Sequence, residues 1–329
     1  MRRRFPAIIA AILLLASTAA VAPAVSAADG ARARHEQVVA HWTPERMKAA
    51  VPRDFVRDAA GNFVPKAKPG GGGSGSVTGA SWTKRGLILK ASGKVYFKMG
   101  GSAWVCSGSV VNDARADYSL VLTAGHCAYD ETNGQPATYW LFIPEFDSAP
   151  TLFDCASTKY GCWTAVGLAG DSRFATAGSF NTQATTHDFA FAVVGAGGKG
   201  GGVPAQLDAA VGSFGIAYSG VNAGNKLYAF GYPAAGKYRG NDLTYCAGNI
   251  FTDTWNANLT WGMACNMTGG SSGGPWLSTF TESTGVGTLS SLNSYGYSGV
   301  RNMYGPKFNA DTQAVYNAAN GATSSTLVP

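Results

Sequence analysis

The stretch TGGSSGGPW, residues 268–276, places two serines between two pairs of glycines, directly before an apolar run. Glycines on both sides leave the backbone open, which favours a nucleophile whose neighbouring N–H groups must reach the oxyanion of an acyl intermediate. Gly270, Ser272 and Gly274 alternate, so Ser272 lies at the centre of the motif. Ser272 is therefore the candidate nucleophile, unless the stretch is only a Gly/Ser loop.

The same alternation also spells GxSxG, the nucleophile motif of α/β-hydrolases. In that fold the acid and the histidine follow the serine, whereas this chain has no histidine beyond His187. The α/β-hydrolase fold is therefore excluded. A serine hydroxyl needs a base to accept its proton. From Val77 onward the histidines are His126, in LTAGHC, and His187, in THDFAFAVV.

The base in turn needs a carboxylate that fixes its tautomer, and Asp188, directly before the apolar run FAFAVV, is placed to supply it. Together, LTAGHC, HDFAFA and GGSSGGP resemble the His, Asp and Ser motifs of the chymotrypsin-like (trypsin-fold) serine proteases, in that family's order. The resemblance covers roughly residues 93–305 and is greatest to the bacterial secreted branch near the glutamyl endopeptidases. Each residue taken alone has another interpretation. His126 could be a structural histidine at the end of a strand, and Asp188 could cap a strand or a turn.

The resemblance implies an all-β fold of two six-stranded antiparallel β-barrels with the active site between them. It implies His126 as the general base, Asp188 as its orienting acid and Ser272 as the nucleophile. The backbone N–H groups of Gly270 and Ser272 would form the oxyanion hole. His187 is interpreted as structural or solvent-facing.

Six cysteines are typical of an oxidising compartment, and spacing alone leaves 15 connectivities open. The resemblance implies that Cys106 bridges to Cys127. Two further bridges are then expected, Cys155 to Cys162 and Cys246 to Cys265. The cysteines form no CxxC pair, so no metal site is predicted. No cofactor is predicted either, because the glycine-rich run 195–202 is followed by Pro204 rather than by a helix.

The sequence departs from the family pattern in two respects. Ser271 stands where trypsin-like members carry the acid that pairs with a newly freed amino terminus. Asn266 and Met267 stand at the pocket positions where charged-substrate branches carry an aspartate or a Ser/Thr, and Asn293 stands where the glutamyl-specific branch has a histidine. A neutral substrate side chain is therefore expected. The substrate backbone would pair with the run Ser294, Tyr295 and Gly296.

Short β-rich runs separated by Gly, Asn, Asp and Pro begin at about Tyr96 and continue to residue 295, which indicates an antiparallel β domain. One helix is predicted near the C-terminus, with Asn309 as its cap. Thr43 followed by Pro44 predicts a second, short helix. The protease domain is expected over residues 77–329.

The N-terminus predicts export. Residues 1–27 join a basic head to a long apolar run that closes in small residues, which is typical of a signal peptide, although an uncleaved membrane anchor is the alternative. Residues 28–76 are interpreted as a propeptide ending in the flexible linker 70–76, or else as a disordered tail.

The formal net charge of +6 comes from the N-terminal segments, because from Val77 onward acidic and basic residues are equal in number. Nucleic acid is therefore not an expected partner. The sequence predicts a monomeric, secreted, extracellular serine endopeptidase that acts on proteins or peptides and does not stay on a membrane after signal removal. The alternatives are an inactive protease-fold binding module and an esterase that uses the same triad.

Overall fold

The computed structural model describes residues 27–58, 60–65, 77–148, 155–199 and 204–329. The predicted signal peptide up to residue 26 and the linker 70–76 lie outside the described residues. The helices are α1 Ala27–His41, α2 Pro44–Ala49, α3 Leu87–Ala91, α4 Ser172–Ala175, α5 Thr182–Thr186, α6 Leu207–Val211 and α7 Ala310–Gly321. Short 3-10 turns occupy Gly125–Cys127, Phe146–Ser148 and Thr254–Asn256.

The strands are short, and we number them along the chain. In the first half they are β1 Val51–Pro52, β2 Phe55–Arg57, β3 Phe63–Pro65, β4 Val77–Ser81, β5 Ser92–Met99, β6 Ser102–Val111, β7 Ser119–Thr123, β8 Thr138–Pro144, β9 Trp163–Asp171 and β10 Ala190–Val194. In the second half they are β11 Gly215–Ile216, β12 Lys226–Gly231, β13 Thr244–Asn249, β14 Phe251–Thr252, β15 Thr260–Ala264, β16 Pro275–Thr281, β17 Val286–Leu292, β18 Tyr295–Tyr297, β19 Asn302–Pro306 and β20 Thr326–Val328.

Strands β5 to β10 form the first barrel. They pair antiparallel in the order β6-β5-β8-β9-β10-β7, and β6 pairs back onto β7, which closes the cylinder. Every residue of β7 and β10 is buried, because the barrel fills their inner face and other elements cover the outer one. Helix α7 supplies part of that cover, with the Tyr316 ring 5.6 Å from the ring of Phe191 on β10.

The second barrel is built from two sheets rather than one continuous ladder. Strands β12, β13, β16 and β17 belong to one sheet, and β15 and β19 to the other. The Cys246–Cys265 disulfide ties β13 to the end of β15. At the opposite seam a Cβ on Gly305 of β19 would lie 2.0 Å from the carbonyl oxygen of Leu292, so this close approach requires glycine. The predicted all-β fold of two barrels is confirmed.

The part of the chain before the linker packs on both barrels. Strand β1 pairs parallel with β6 of the first barrel, and β2 pairs parallel with β18 of the second, while β3 returns antiparallel to β2. Helix α2 begins where the sequence predicts, with the Thr43 hydroxyl accepting the N–H of Arg46. In this part of the chain the described residues, 27–58 and 60–65, therefore have regular structure.

The C-terminal helix is also confirmed. Asn309 caps α7 in a capping box with Thr312, in which each side chain accepts the other residue's backbone N–H. All three disulfides form as expected: Cys106–Cys127, Cys155–Cys162 and Cys246–Cys265. Within the described ranges, none of the helices has both the length and the apolar character needed to cross a membrane.

Candidate active site

His126 and Asp188 meet where two strands of the first barrel carry them to its rim. His126 lies in the 3-10 turn after β7, and Asp188 lies two residues before β10, which pairs with β7. The His126 Nδ1 atom lies 2.8 Å from Asp188 Oδ2, and the His126 backbone N–H donates to Asp188 Oδ1 at 2.8 Å. Both side chains are fully buried. The carboxylate therefore fixes the ring orientation, which leaves Nε2 as the free edge of the imidazole.

Ser294 joins this pair from the second barrel. Its hydroxyl donates to Asp188 Oδ2, the oxygen that also faces His126. Asp188 thus accepts three hydrogen bonds, one of them from the opposite barrel. These hydrogen bonds hold the carboxylate in place beside the imidazole.

Ser272 lies in the loop between β15 and β16, and the glycines after it allow the loop to pack against the first barrel. Gly273 has a φ of +81°, and a Cβ there would lie 2.3 Å from Thr123 Oγ1 and 2.4 Å from the carbonyl oxygen of Ser107. No other residue fits. The N–H of Ser107 donates to the Ser272 carbonyl at 2.7 Å, so the nucleophile loop is fixed across the barrel interface.

The peptide between Gly269 and Gly270 has a fixed orientation. The Gly269 carbonyl accepts the N–H of Ala234 at 2.7 Å, and in a trans peptide the N–H of Gly270 must point the opposite way. Gly270 holds this turn with a φ of +93°. Its own carbonyl accepts the Ser107 hydroxyl at 2.8 Å. Local hydrogen bonds therefore fix the backbone at Gly269 and Gly270, two residues before Ser272.

Ser271 takes part in the same local network instead of meeting a chain terminus. Its hydroxyl donates to the Thr268 carbonyl at 2.8 Å, and its carbonyl accepts the Asn293 amide at 3.0 Å. Asn293 also donates to the Phe230 carbonyl at 2.7 Å and accepts the Trp276 indole N–H at 2.8 Å. The amide of Asn293, which the sequence placed in the substrate pocket, is thus engaged in holding the nucleophile loop.

The remaining pocket candidates separate into two groups. Met267 is fully buried and belongs to the apolar cluster of the second barrel that includes Cys265 and Met303. Asn266 lies nearer the surface of the barrel, where its Oδ1 accepts the hydroxyl of Tyr238. Burial raises the pKa of Tyr238 to about 12, so this hydroxyl keeps its proton and can donate. Neither side chain carries a charge.

Tyr295 and Gly296 line the cleft as strand β18, and there they pair with Phe55 and Val56 of β2. The cleft is therefore filled by a piece of the chain itself. We call residues 51–57 (VPRDFVR), which run from β1 through β2, the cleft segment. With this segment in place, Ser272 is only 1% exposed and His126 is 0% exposed.

The cleft segment contacts the candidate catalytic residues directly. Ser272 Oγ donates to Asp54 Oδ1 at 3.1 Å. His126 Nε2 is buried and has no hydrogen-bond partner among the described residues, so in this state the serine proton is directed to Asp54 and not to the base. The Phe55 ring lies edge-on to the His126 ring, with 5.4 Å between centroids.

Three residues that sequence reasoning did not single out complete the cleft. Phe180 stacks face to face on Phe55 at 4.0 Å, and Glu131 forms a buried ion pair with Arg53 at 2.7 Å. Asp54 is the third. None of them belongs to a recognisable motif, because their positions depend on how the two barrels and the N-terminal segment come together.

Comparisons with solved structures place this fold in a known class. Protease Anisep from Arthrobacter nicotinovorans is 36% identical over 74% of this chain and 100% of that chain, with a TM-score of 0.61. The thermostable serine protease AL20 from an extremophilic microorganism is 34% identical over 72% of this chain and 99% of that chain, with a TM-score of 0.60. A Glu endopeptidase shares the fold at 18% identity over 75% of this chain and 99% of that chain, with a TM-score of 0.54.

These similarities define a serine protease of the chymotrypsin fold. The chain belongs to the chymotrypsin-like (trypsin-fold) serine proteases, as the three sequence motifs predict. No protein-family profile matches the chain, and no curated protein matches it in sequence.

Proposed function

We propose that the chain is the precursor of a secreted serine endopeptidase. Residues 1–27 would be a signal peptide, residues 28–76 a propeptide with its linker, and residues 77–329 the protease domain. The three disulfides agree with an oxidising, extracellular destination. The observation that carries the proposal is the fully buried pair His126–Asp188, at 2.8 Å, on the rim that faces the Ser272 loop.

In the proposed mechanism, Ser272 Oγ attacks the substrate carbonyl carbon while His126 Nε2 accepts the hydroxyl proton. The carbonyl oxygen becomes an oxyanion and receives hydrogen bonds from the N–H groups of Gly270 and Ser272. His126 then donates its proton to the leaving amine, which produces an acyl-enzyme on Ser272. Water hydrolyses this ester in the second half of the cycle, again with His126 as the base. Asp188 stays ionised throughout and stabilises the imidazolium.

Asn266 and Met267 contribute no charge to the pocket, so the proposal includes a preference for neutral side chains before the cut. A substrate charge buried there without a partner would cost several kcal/mol.

The test is a digest of a mixed proteome by the processed enzyme, with the new peptide ends identified by mass spectrometry. Ser272→Ala should abolish the cuts, whereas Ser102→Ala, at an exposed serine of β6, should retain most of them. Cuts that survive Ser272→Ala would overturn the assignment of the nucleophile. Cuts that fall mainly after Lys, Arg, Asp or Glu would overturn the proposed pocket.

A further inference from the structure

The cleft segment enters and leaves the site on regular backbone pairing. At its start, Val51 and Pro52 lie beside Trp104 and Val105 of β6, just before the Ser107 that holds the nucleophile loop. At its end, residues 55–57 lie beside residues 295–297 of β18. Both pairings are parallel, and they belong to different barrels. The segment therefore bridges the whole cleft between the barrels.

The middle of the segment is held by side chains that match the site chemically. Arg53 donates to the backbone carbonyl of His126 at 2.7 Å and forms the buried ion pair with Glu131. Phe55 fills an aromatic slot between Phe180 and the edge of His126. A buried charged side chain that has a partner, next to a stacked aromatic ring, is typical of a specific bound ligand rather than of a loop that happens to lie nearby.

Ser272 Oγ faces a side chain of the segment. The group within hydrogen-bond distance of Ser272 Oγ is the side-chain carboxylate of Asp54, at 3.1 Å. A carboxylate carbon is a poor electrophile and carries no leaving amine, so no acyl-enzyme can form on it. The carboxylate also accepts the hydrogen bond of the serine hydroxyl, whose proton would have to move to His126 during attack on a substrate.

The segment is also anchored from its N-terminal side. The Trp42 indole N–H donates to the Tyr139 carbonyl at 2.6 Å, and the His41 ring stacks on the Tyr139 ring at 4.1 Å. Met47 on α2 is buried as well. These contacts to the first barrel precede the cleft segment in the chain, so they do not depend on the linker that follows it.

We infer that residues 51–57 are a built-in inhibitor of the active site, in which Asp54 caps Ser272 and Phe55 and Arg53 occupy side-chain sites on either side. This inference rests on the proposed protease function and names how that site is regulated. Helices α1 and α2 hold the inhibitor in place, so a cut in the linker alone leaves the cleft covered. Activity appears only when the segment itself leaves.

The test measures how fast a fluorophosphonate probe modifies Ser272 in the full chain after signal removal. The variants are wild type, Asp54→Ala combined with Phe55→Ala, and Lys48→Ala as a control at an exposed position of α2. Intact-mass spectrometry restricts the count to full-length molecules. The double variant should react at least about tenfold faster than wild type and Lys48→Ala, which corresponds to ~1.4 kcal/mol of lost segment binding. Equal rates in all three would overturn the inference.

A synthetic peptide of residues 50–58 provides a measurement that does not depend on how the variants fold. Added to the processed enzyme, it should inhibit turnover competitively and be recovered uncut, while the same peptide with Asp54→Ala should inhibit at least about tenfold more weakly. A peptide that is cleaved, or that does not inhibit, contradicts the inference but leaves the protease function standing. A processed enzyme that neither reacts with the probe nor cleaves any substrate removes the protease function, and the inference with it.

Discussion

Asp188 acts on His126 through two contacts, one to the ring and one to the backbone N–H. Asp188→Asn keeps the shape of the site but favours the wrong imidazole tautomer, and in serine proteases this change lowers turnover about 10⁴-fold. We expect a loss of that order in the processed enzyme, with Asp117→Asn, at an exposed carboxylate, as the control. Peptide turnover per titrated active site measures it. A loss below about tenfold would remove Asp188 from the orienting role.

The residue Asp171 gives a prediction about pH. It caps α4, accepts from Arg173, and lies 3.2 Å from His187. Burial raises the pKa of Asp171, but the adjacent His187 ring and the hydrogen bonds from Arg173 outweigh that effect and bring the pKa down from 3.8 to about 2. A carboxylate whose pKa is lower in the folded protein than in the unfolded chain stabilises the fold at pH values above its ordinary pKa. This contribution is lost as the pH falls from about 4 towards 2.

Asp171→Asn should therefore cost more stability at pH 6 than at pH 2.5. The measurement is the free energy of unfolding in urea at both pH values, with Asp117→Asn as the exposed control. A cost for Asp171→Asn that is the same at pH 6 and at pH 2.5 would show that the ionised carboxylate contributes nothing to stability.

Local sequence predicts some side-chain contacts of the candidate site better than others. His126, Asp188 and Ser272 stand in distinctive short motifs, and the structure brings the first two into contact. Where the Met267 and Asn293 side chains point was not predictable, because each contacts residues far along the chain. Met267 packs in the apolar cluster of the second barrel, and Asn293 donates a hydrogen bond to the Phe230 carbonyl. Such long-range contacts cannot be predicted from neighbouring residues in the sequence.

At the scale of elements, the β-rich runs and both capped helices were predictable from local signals. Strands β13, β15 and β19 were not, since each contains glycine and their strand state depends on the neighbours with which they pair. Strands β1 to β3 are two or three residues long, and only their pairing with the barrels makes them strands. The cleft segment was for that reason invisible in the sequence.

The Cys246–Cys265 disulfide joins two of these unpredicted strands and spans 19 residues. In the chain-entropy account, closing a loop of this size stabilises a fold by about 3 kcal/mol, and a shorter loop contributes less. Replacing both cysteines by serine should therefore lower the free energy of unfolding by about 3 kcal/mol or more, because two hydroxyls would also be buried. The control pair Cys155–Cys162 spans 7 residues and should cost less. A larger loss in the control pair would contradict this ranking.

At the scale of the whole molecule, we expect the proposed oxyanion hole to form without a freed amino terminus. Ser271 is bonded to Thr268 and Asn293, and the first described residues after the linker, Val77–Ser81, form β4 at the edge of β13. Ser271 is uncharged, so it could not form an ion pair with a buried N-terminal ammonium group. The protease domain should therefore work with more than one starting residue.

This prediction is tested with cleavage sites engineered to give processed enzymes that begin at Ser76, Val77 or Thr78, each with and without one extra methionine. The released N-terminal fragment, which carries the cleft segment, is removed from each before the assay. Turnover per titrated active site should agree across the set. Activity that is confined to a single start residue and lost on adding the methionine would show that a specific terminus completes the site.

We expect the processed molecule to form an acyl-enzyme on Ser272. Acid quenching during turnover of an activated ester, followed by peptide mapping, measures this directly. We predict an acyl group on Ser272 in the wild type, none on the adjacent Ser271, and none anywhere in Ser272→Ala. An acyl group on Ser271, or sustained turnover with Ser272 unmodified and dispensable, would contradict the account.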